Sequence, residues 1–260
     1  HRYTASGLRY ITIRYATAVA AASLGNATLA SLRPKVAAQD VSTIRIFDGM
    51  GQVQAEIDAE GYVTTFKYNA MGLVSESKRF ATKLSQSAIN LAKSQPISIS
   101  QLVLPKANSQ DQVTQTAYDA LGRASISTDY LGTRTEFAYD EVGNLVKTTR
   151  AVGTSDASSL AKRYDVQGRV IAELSATGYA LIAAGMTTEQ INTIWTQYGS
   201  THTYDASGRR TSTTDANGNK TLFFYDGDGQ LSHTINALGE VTETQYNNFG
   251  QVSATIAYSK

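Results

Sequence analysis

The 260-residue chain contains no cysteine, three prolines, three histidines and a single tryptophan. Without cysteine it can build neither a disulfide framework nor a thiolate metal site. His1, His202 and His233 are the only histidines, and none has metal-ligand spacing to another. Neither sign of charge is in excess: 23 Lys plus Arg against 22 Asp plus Glu leave a net charge of +1. That balance removes the electrostatic case for nucleic acid or an anionic membrane as the main partner. No apolar run approaches the ~20 residues that span a bilayer. A G-x-S-x-G elbow, a phosphate-binding glycine loop and H-E-x-x-H are all absent. The opening His1-Arg2-Tyr3-Thr4 has no initiator Met and no signal peptide, so the chain reads as a fragment of a longer protein.

What is present is tyrosine, glycine and repetition. Fifteen Tyr and 20 Gly favour strands joined by glycine turns over helix bundles. One pattern, an aromatic anchor followed by Asp or Asn, two free positions and Gly, recurs along the chain. It appears as Phe47-Asp48-x-x-Gly51, Tyr68-Asn69-x-x-Gly72, Tyr118-Asp119-x-x-Gly122 and Tyr139-Asp140-x-x-Gly143. It continues as Tyr164-Asp165-x-x-Gly168, Tyr204-Asp205-x-x-Gly208, Tyr225-Asp226-x-x-Gly229 and Tyr246-Asn247-x-x-Gly250, with Tyr3-Thr4-x-x-Gly7 as a degenerate ninth. Anchors 47 and 68, 118 and 139, 204 and 225, and 225 and 246 are each 21 residues apart. A second turn signal falls mid-unit at Asp58-x-x-Gly61, Asp129-x-x-Gly132, Asp215-x-x-Gly218 and Asn236-x-x-Gly239.

Asp or Asn at the first turn position accepts hydrogen bonds from backbone N–H groups two or three residues on, and Gly at the fourth supplies a positive φ. Each unit is therefore predicted to hold two hairpin turns, type I with a glycine bulge, and two strands of about six residues. Alternation places Thr64/Phe66/Tyr68 on one face of a strand, and likewise Val252/Ala254/Ile256. The predicted fold is all-β: an antiparallel hairpin strip with short helical inserts, residues 1–260 forming one continuous array. Eight or nine units make about 16 strands, or ~75 Å at ~4.8 Å per strand. Open sheets seldom exceed about ten strands without curling, so the strip is expected to bend into a spiral, shell or rod, its Tyr rows packed inward.

Inserts interrupt the array at about 16–40, 81–111, 151–160 and 177–203. Two follow similar strand ends, Arg14-Tyr15-Ala16-Thr17 and Arg79-Phe80-Ala81-Thr82. They close at Asp40 and Asp111, each seven residues before the next anchor. In the last insert, Thr187 and Gln190 form a capping-box pair, Ile191/Ile194/Trp195/Tyr198 follow helical spacing, and Gly199 sits at a C′ position. That predicts a helix over 187–199 docked on the sheet. Asn26–Leu32 and Ser85–Ala92 are further helix candidates, both stopped by proline.

Tyr-Asp-x-x-Gly-Arg followed by an apolar residue, as in Y-D-V-Q-G-R-V at 164–170, resembles the YD repeat, also called the Rhs repeat. The likeness runs through nearly the whole chain apart from the inserts. It extends to bacterial Rhs toxins, the Tc-toxin cocoon, wall-associated proteins, teneurin shells and very large bacterial YD-repeat surface proteins. It implies a secreted or cell-surface structural scaffold, a β-shell or fibre that encloses a toxin or other cargo polypeptide or extends from the cell. Its partners would be neighbouring YD repeats, of the same chain or of other copies end to end. The self-cleaving D-P-x-G type motif that liberates the effector of Rhs toxins has no counterpart, since the chain has no Asp-Pro.

No residue stands out for catalysis, and no cofactor or metal is implied. The eight similar turn residues, six Asp and two Asn, are turn formers, because a catalytic acid needs a distinctive environment that shifts its pKa. The D-G-D-G run at 226–229 fails as a calcium loop: with Gly229 at the sixth position, Phe224 and Ile235 occupy the ligating ends. Arg123, Arg169, Arg209 and Arg210 recur after turn glycines, where they can pair with turn carboxylates and cover neighbouring rings. The alternative is a carbohydrate-binding adhesin module using the Tyr and Arg rows to hold glycan.

Overall fold

The computed structural model describes residues 1–17, 37 and 40–258, and the chain divides into two compact units, His1–Gly132 and Thr133–Lys260. The helix candidate at Asn26–Leu32 lies outside the described residues.

The first unit runs β1 (Arg2–Tyr3), β2 (Arg9–Arg14), β3 (Val41–Phe47), β4 (Val53–Ile57), β5 (Val63–Tyr68) and β6 (Val74–Arg79). Helix α1 (Gln86–Ser94), a 3-10 turn (Ile99–Gln101), β7 (Gln112–Tyr118) and β8 (Ala124–Thr128) complete it. The second runs β9 (Arg134–Tyr139), β10 (Leu145–Arg150), β11 (Ser158–Tyr164), β12 (Val170–Leu174), α2 (Ala176–Tyr179) and α3 (Thr188–Tyr198). Then come β13 (Gly199–Tyr204), β14 (Arg210–Thr214), β15 (Lys220–Tyr225), β16 (Leu231–Ile235), β17 (Val241–Tyr246) and β18 (Val252–Tyr258). Within each unit every strand pairs antiparallel with the next in sequence. The fold is all-β and repetitive, with short helices carried between strands.

The turns follow from the Asp/Asn-x-x-Gly chemistry. At Asp48 the backbone N–H donates to the Gln52 carbonyl (2.9 Å) and the Gly51 N–H donates back to the Asp48 carbonyl (3.2 Å). Gly51 has φ +83°, and the ladder slips by one residue between Ile46 and Phe47, a glycine bulge. The same slip precedes Tyr68, Tyr118, Tyr164, Tyr204, Tyr225 and Tyr246.

Apolar burial concentrates where helices lie on the sheet. In the first unit the cross-strand row Ile11–Ile44–Ile57–Val63 is sealed, each residue at most 1% exposed. Ala88 and Ala92 of α1 pack into the same cluster with Phe80, Leu84 and Ile97. Ser85 caps α1 through its hydroxyl, which accepts from the Ala88 N–H, and the helix runs two residues past the sequence expectation, to Ser94. In the second unit Ile194 and Trp195 of α3 bury with Ala161 and Leu174, and Ile191 packs at the margin. The capping box of Thr187 and Gln190 is present.

Gly199 departs from the expected left-handed C′ cap. Its φ is −101° and it opens β13 directly, because its N–H still donates to the Trp195 carbonyl as the chain enters the sheet. The residue must be glycine for room: a Cβ there would sit 2.5 Å from the Trp195 carbonyl oxygen. The last insert is accordingly shorter than 177–203, since β13 starts at Gly199. The third yields to β11 from Ser158.

Candidate functional site

The repeated hairpin corner is the feature that recurs. In each, the Asp or Asn side chain closes its own turn. The Oδ1 of Asp165 accepts from the N–H groups of Gln167 (2.9 Å) and Arg169 (3.0 Å). Asp119, Asp205, Asp226, Asn69 and Asn247 repeat the arrangement. The reach is two and four residues, one longer than expected, because the glycine bulge turns the fourth N–H back over the carboxylate. Asp140 likewise accepts from the Asn144 N–H at 2.7 Å. Gly122, Gly143, Gly168, Gly208, Gly229 and Gly250 all hold φ between +73° and +100°.

Where Arg follows the glycine, it completes the corner. Arg123, Arg169 and Arg209 each donate Nε–H to the Oδ2 of Asp119, Asp165 and Asp205 at 2.7 Å. Backbone N–H groups, chiefly those of these arginines, hold all three carboxyls below the ordinary aspartate range. The guanidinium then lies over the next anchor ring, 4.8 Å for Arg169 on Tyr204 and 4.8 Å for Arg209 on Tyr225. Arg169 also donates Nη1–H to the Asp205 carbonyl, 3.3 Å away.

Sequence reading missed what the tyrosine hydroxyl does. Tyr68 donates to the Val53 carbonyl, Tyr118 to Val74, Tyr164 to Leu145, Tyr204 to Val170, Tyr225 to Arg210 and Tyr246 to Leu231, at 2.7–3.0 Å. In every case the acceptor lies two residues beyond the glycine of the preceding anchor turn. Each anchor thus bolts its hairpin to the one before. The available signal was the anchor's identity: inward packing alone would be served by Phe, yet Tyr fills seven of the eight regular positions. Tyr139 ends β9 opposite Leu145, across the same kind of bulge.

A second corner closes the inserts. Asp111 accepts from the Ala81 N–H at 2.9 Å and the Asn108 N–H at 3.1 Å, with the Lys78 ammonium 2.9 Å away. Asp40 makes the matching bonds to Ala16 and Ala37. These explain the Asp placed seven residues before each following anchor.

Other polar groups are similarly engaged. A cleft of about 680 Å³ in the first unit is lined by Asp40, Asp58, Glu60, Arg2 and Lys93, among others. There Asp58 pairs with Arg79 at 2.7 Å and Arg2 caps the Lys93 carbonyl. His202 is buried, with Nδ1 3.1 Å from the Thr213 hydroxyl and Nε2 3.6 Å from Glu173, and its desolvation depresses its pKa. His233 lies against the Ser232 hydroxyl. Asp215 accepts from the N–H groups of Asn217 and Asn219 and from the Asn219 amide. Among the described residues no group of three His, Cys, Asp or Glu side chains is placed to hold a metal ion, and no helix is long and apolar enough to cross a membrane.

Comparison with known proteins agrees with this geometry. Residues 118–155 match the family model of the RHS Repeat. No curated protein matches the chain. Among solved structures, the Photorhabdus luminescens Tc holotoxin pore aligns with 98% of this chain and 14% of that one, at 15% identity and TM-score 0.58. TcdB2-TccC3 without its hypervariable C-terminal region covers 84% of this chain and 14% of its own, at 15% identity and TM-score 0.33. The chain therefore spans about a seventh of the length of these two solved chains, and the likeness to the first is one of fold. The unit at 118–155 thus matches the RHS Repeat model, and the same hairpin corner recurs on both sides of it.

Proposed function

We infer that the chain is a structural scaffold, a run of one continuous YD-repeat array within a large secreted or cell-surface protein. Its stacked hairpins serve as wall material, either closing into a shell around a polypeptide cargo or extending as a fibre. The observation that carries this reading is the tyrosine-to-carbonyl bolt, the same bond made six times between successive hairpins. Turn carboxylates, arginine heads and anchor hydroxyls are consumed by the architecture, which supports a structural role over catalysis. It also weighs against the carbohydrate-binding alternative, because the Arg169 and Arg209 guanidinia lie on the tyrosines of the next anchors. The fold likeness to the Tc holotoxin pore supports a toxin-associated setting.

Electron microscopy of the protein at native length, with fractionation of the cells that make it, tests the reading. The expected result is an extracellular particle whose wall or shaft is the hairpin strip. A cytoplasmic location would overturn it, and repeats forming a closed domain with saturable glycan binding abolished by Tyr204→Ala or Arg169→Ala would replace it with the adhesin-module reading.

A further inference from the structure

The face of the second unit on which α3 sits continues, by strand register, onto strands that no helix covers among the described residues. Ala161 and Leu174, opposite each other on β11 and β12, are buried under α3. Alternation along β13 carries the same face to Thr203. From there the pairing leads through Ser212 to the row Leu222–Ile235–Val241–Tyr258 on β15–β18.

This row is as apolar as its counterpart in the first unit, yet its surroundings differ. Ile11, Ile44, Ile57 and Val63, under α1, are at most 1% exposed. None of Leu222, Ile235, Val241 and Tyr258 is buried. Phe224, on the same face, is 46% exposed and Tyr258 is 49% exposed. The reverse side of these strands carries Phe223 and Ala257 among threonines, so the row is set apart by its lack of cover. A row that a helix seals in the first unit, and that no helix covers here among the described residues, leaves apolar surface for a partner to bury.

We propose that the Leu222–Ile235–Val241–Tyr258 face is a docking surface for an amphipathic helix of two to three turns, of the kind this chain's inserts supply. The surface is continuous with an interface the chain already makes, the seat of α3, and in both units helices are what cover this class of row. Charge narrows the partner's chemistry. Glu243 borders the row, accepting from the Tyr258 hydroxyl and from Gln245. The docking helix therefore presents small or apolar residues at i, i+3, i+4 and i+7, as Ala88 and Ala92 do in α1, and a Lys or Arg toward Glu243. The assignment concerns the sheet face alone and stands whether the protein forms a shell or a fibre.

Photo-crosslinking in the protein at full native length tests it, with p-benzoylphenylalanine as the probe. Phe224→p-benzoylphenylalanine and Tyr258→p-benzoylphenylalanine place the probe on the face at half-exposed positions that tolerate an added ring. Leu131→p-benzoylphenylalanine, at a hairpin tip 74% exposed, is the control. The expected result is a cross-link from 224 and 258, absent from 131, to a peptide with helically spaced apolar residues and a nearby Lys or Arg. A cross-link to a strand or to the same face of a second copy overturns the proposal, and so does the absence of any product from 224 and 258.

Discussion

The phenolic oxygen of Tyr204 lies 2.7 Å from the carbonyl oxygen of Val170, 34 residues earlier in the chain. The span includes an entire helical insert, yet the bond matches that of Tyr246 to Leu231, only 15 residues apart. Inserts therefore loop out without disturbing the corner. Tyr204→Phe keeps the ring and removes the bond, and should cost about 1 kcal/mol in denaturant unfolding. Tyr118→Phe and Tyr246→Phe should cost similar amounts. A Phe variant as stable as the parent at all three sites would mean that the hydroxyl bolts nothing.

Backbone strain should dominate at the turn glycines. Gly208 has φ +80°, and a Cβ there would find its nearest neighbour, the Arg169 guanidinium, at a comfortable 3.8 Å. Space is thus not the obstacle. Gly208→Val should still cost well above about 1 kcal/mol, because a β-branched residue cannot rest at that φ. Asp205→Ala, which removes the side-chain bonds but leaves the turn backbone, should cost less. Equal thermal stability of Gly208→Val and the parent would refute the turn assignment.

Trp195 reports on the insert helix. It is 9% exposed and lies beneath the Arg163 guanidinium, 4.3 Å from its ring centre. As the only tryptophan, it should emit at blue-shifted wavelengths and resist quenching by iodide. Arg163→Ala should shift the emission to the red while the strands persist in circular dichroism. A solvent-like spectrum in the parent would detach α3 from the sheet.

Acid should open the insert necks. Burial of the Asp111 carboxyl works against its charge. The Ala81 N–H, the Lys78 ammonium and the Asn108 N–H outweigh that and hold its pKa below the ordinary aspartate value. A folded-state pKa below the unfolded one contributes stability above the unfolded pKa, near 3.9 for model peptides, and that stability is lost as pH falls through the folded value. The protection of the Ala81 amide, its exchange measured relative to the intrinsic rate at each pH, should therefore fall on acidification below about pH 4, and Asp111→Asn should flatten that pH dependence. An Ala81 amide whose protection is independent of pH in this range would show that the carboxylate does not close the neck.

Much of this was legible because the repeat writes its structure locally. Asp, Gly and the period-2 alternation on either side determine a turn and two strands without reference to the rest of the chain. The helix at Thr188–Tyr198 was legible for the same reason, from its capping box and apolar spacing. What escaped was non-local. The tyrosine bolt joins residues 15 to 44 positions apart, and the Asp111 clasp joins residues 30 apart, so the recurring Tyr and the Asp seven residues before an anchor were visible while their partners were not. Gly199 was misread because a helix-ending glycine suggests a left-handed cap. Only the close approach of β13 to the Trp195 carbonyl shows that its missing Cβ matters for room.

Removal of one whole unit tests the central claim, that these repeats are interchangeable architecture. Deleting residues 205–225 joins Tyr204 to Asp226, so β13 enters the next turn in register and every later tyrosine keeps its edge. Stacked units interact mainly with their neighbours, so the shortened chain should fold with native-like circular dichroism and a modestly lower melting temperature. Deleting only residues 205–214 removes a single strand, places each later Tyr-Asp turn on the opposite edge, and should unfold the second unit. If the 21-residue deletion unfolds the chain as fully as the 10-residue one, the units are not modular and the scaffold account is contradicted.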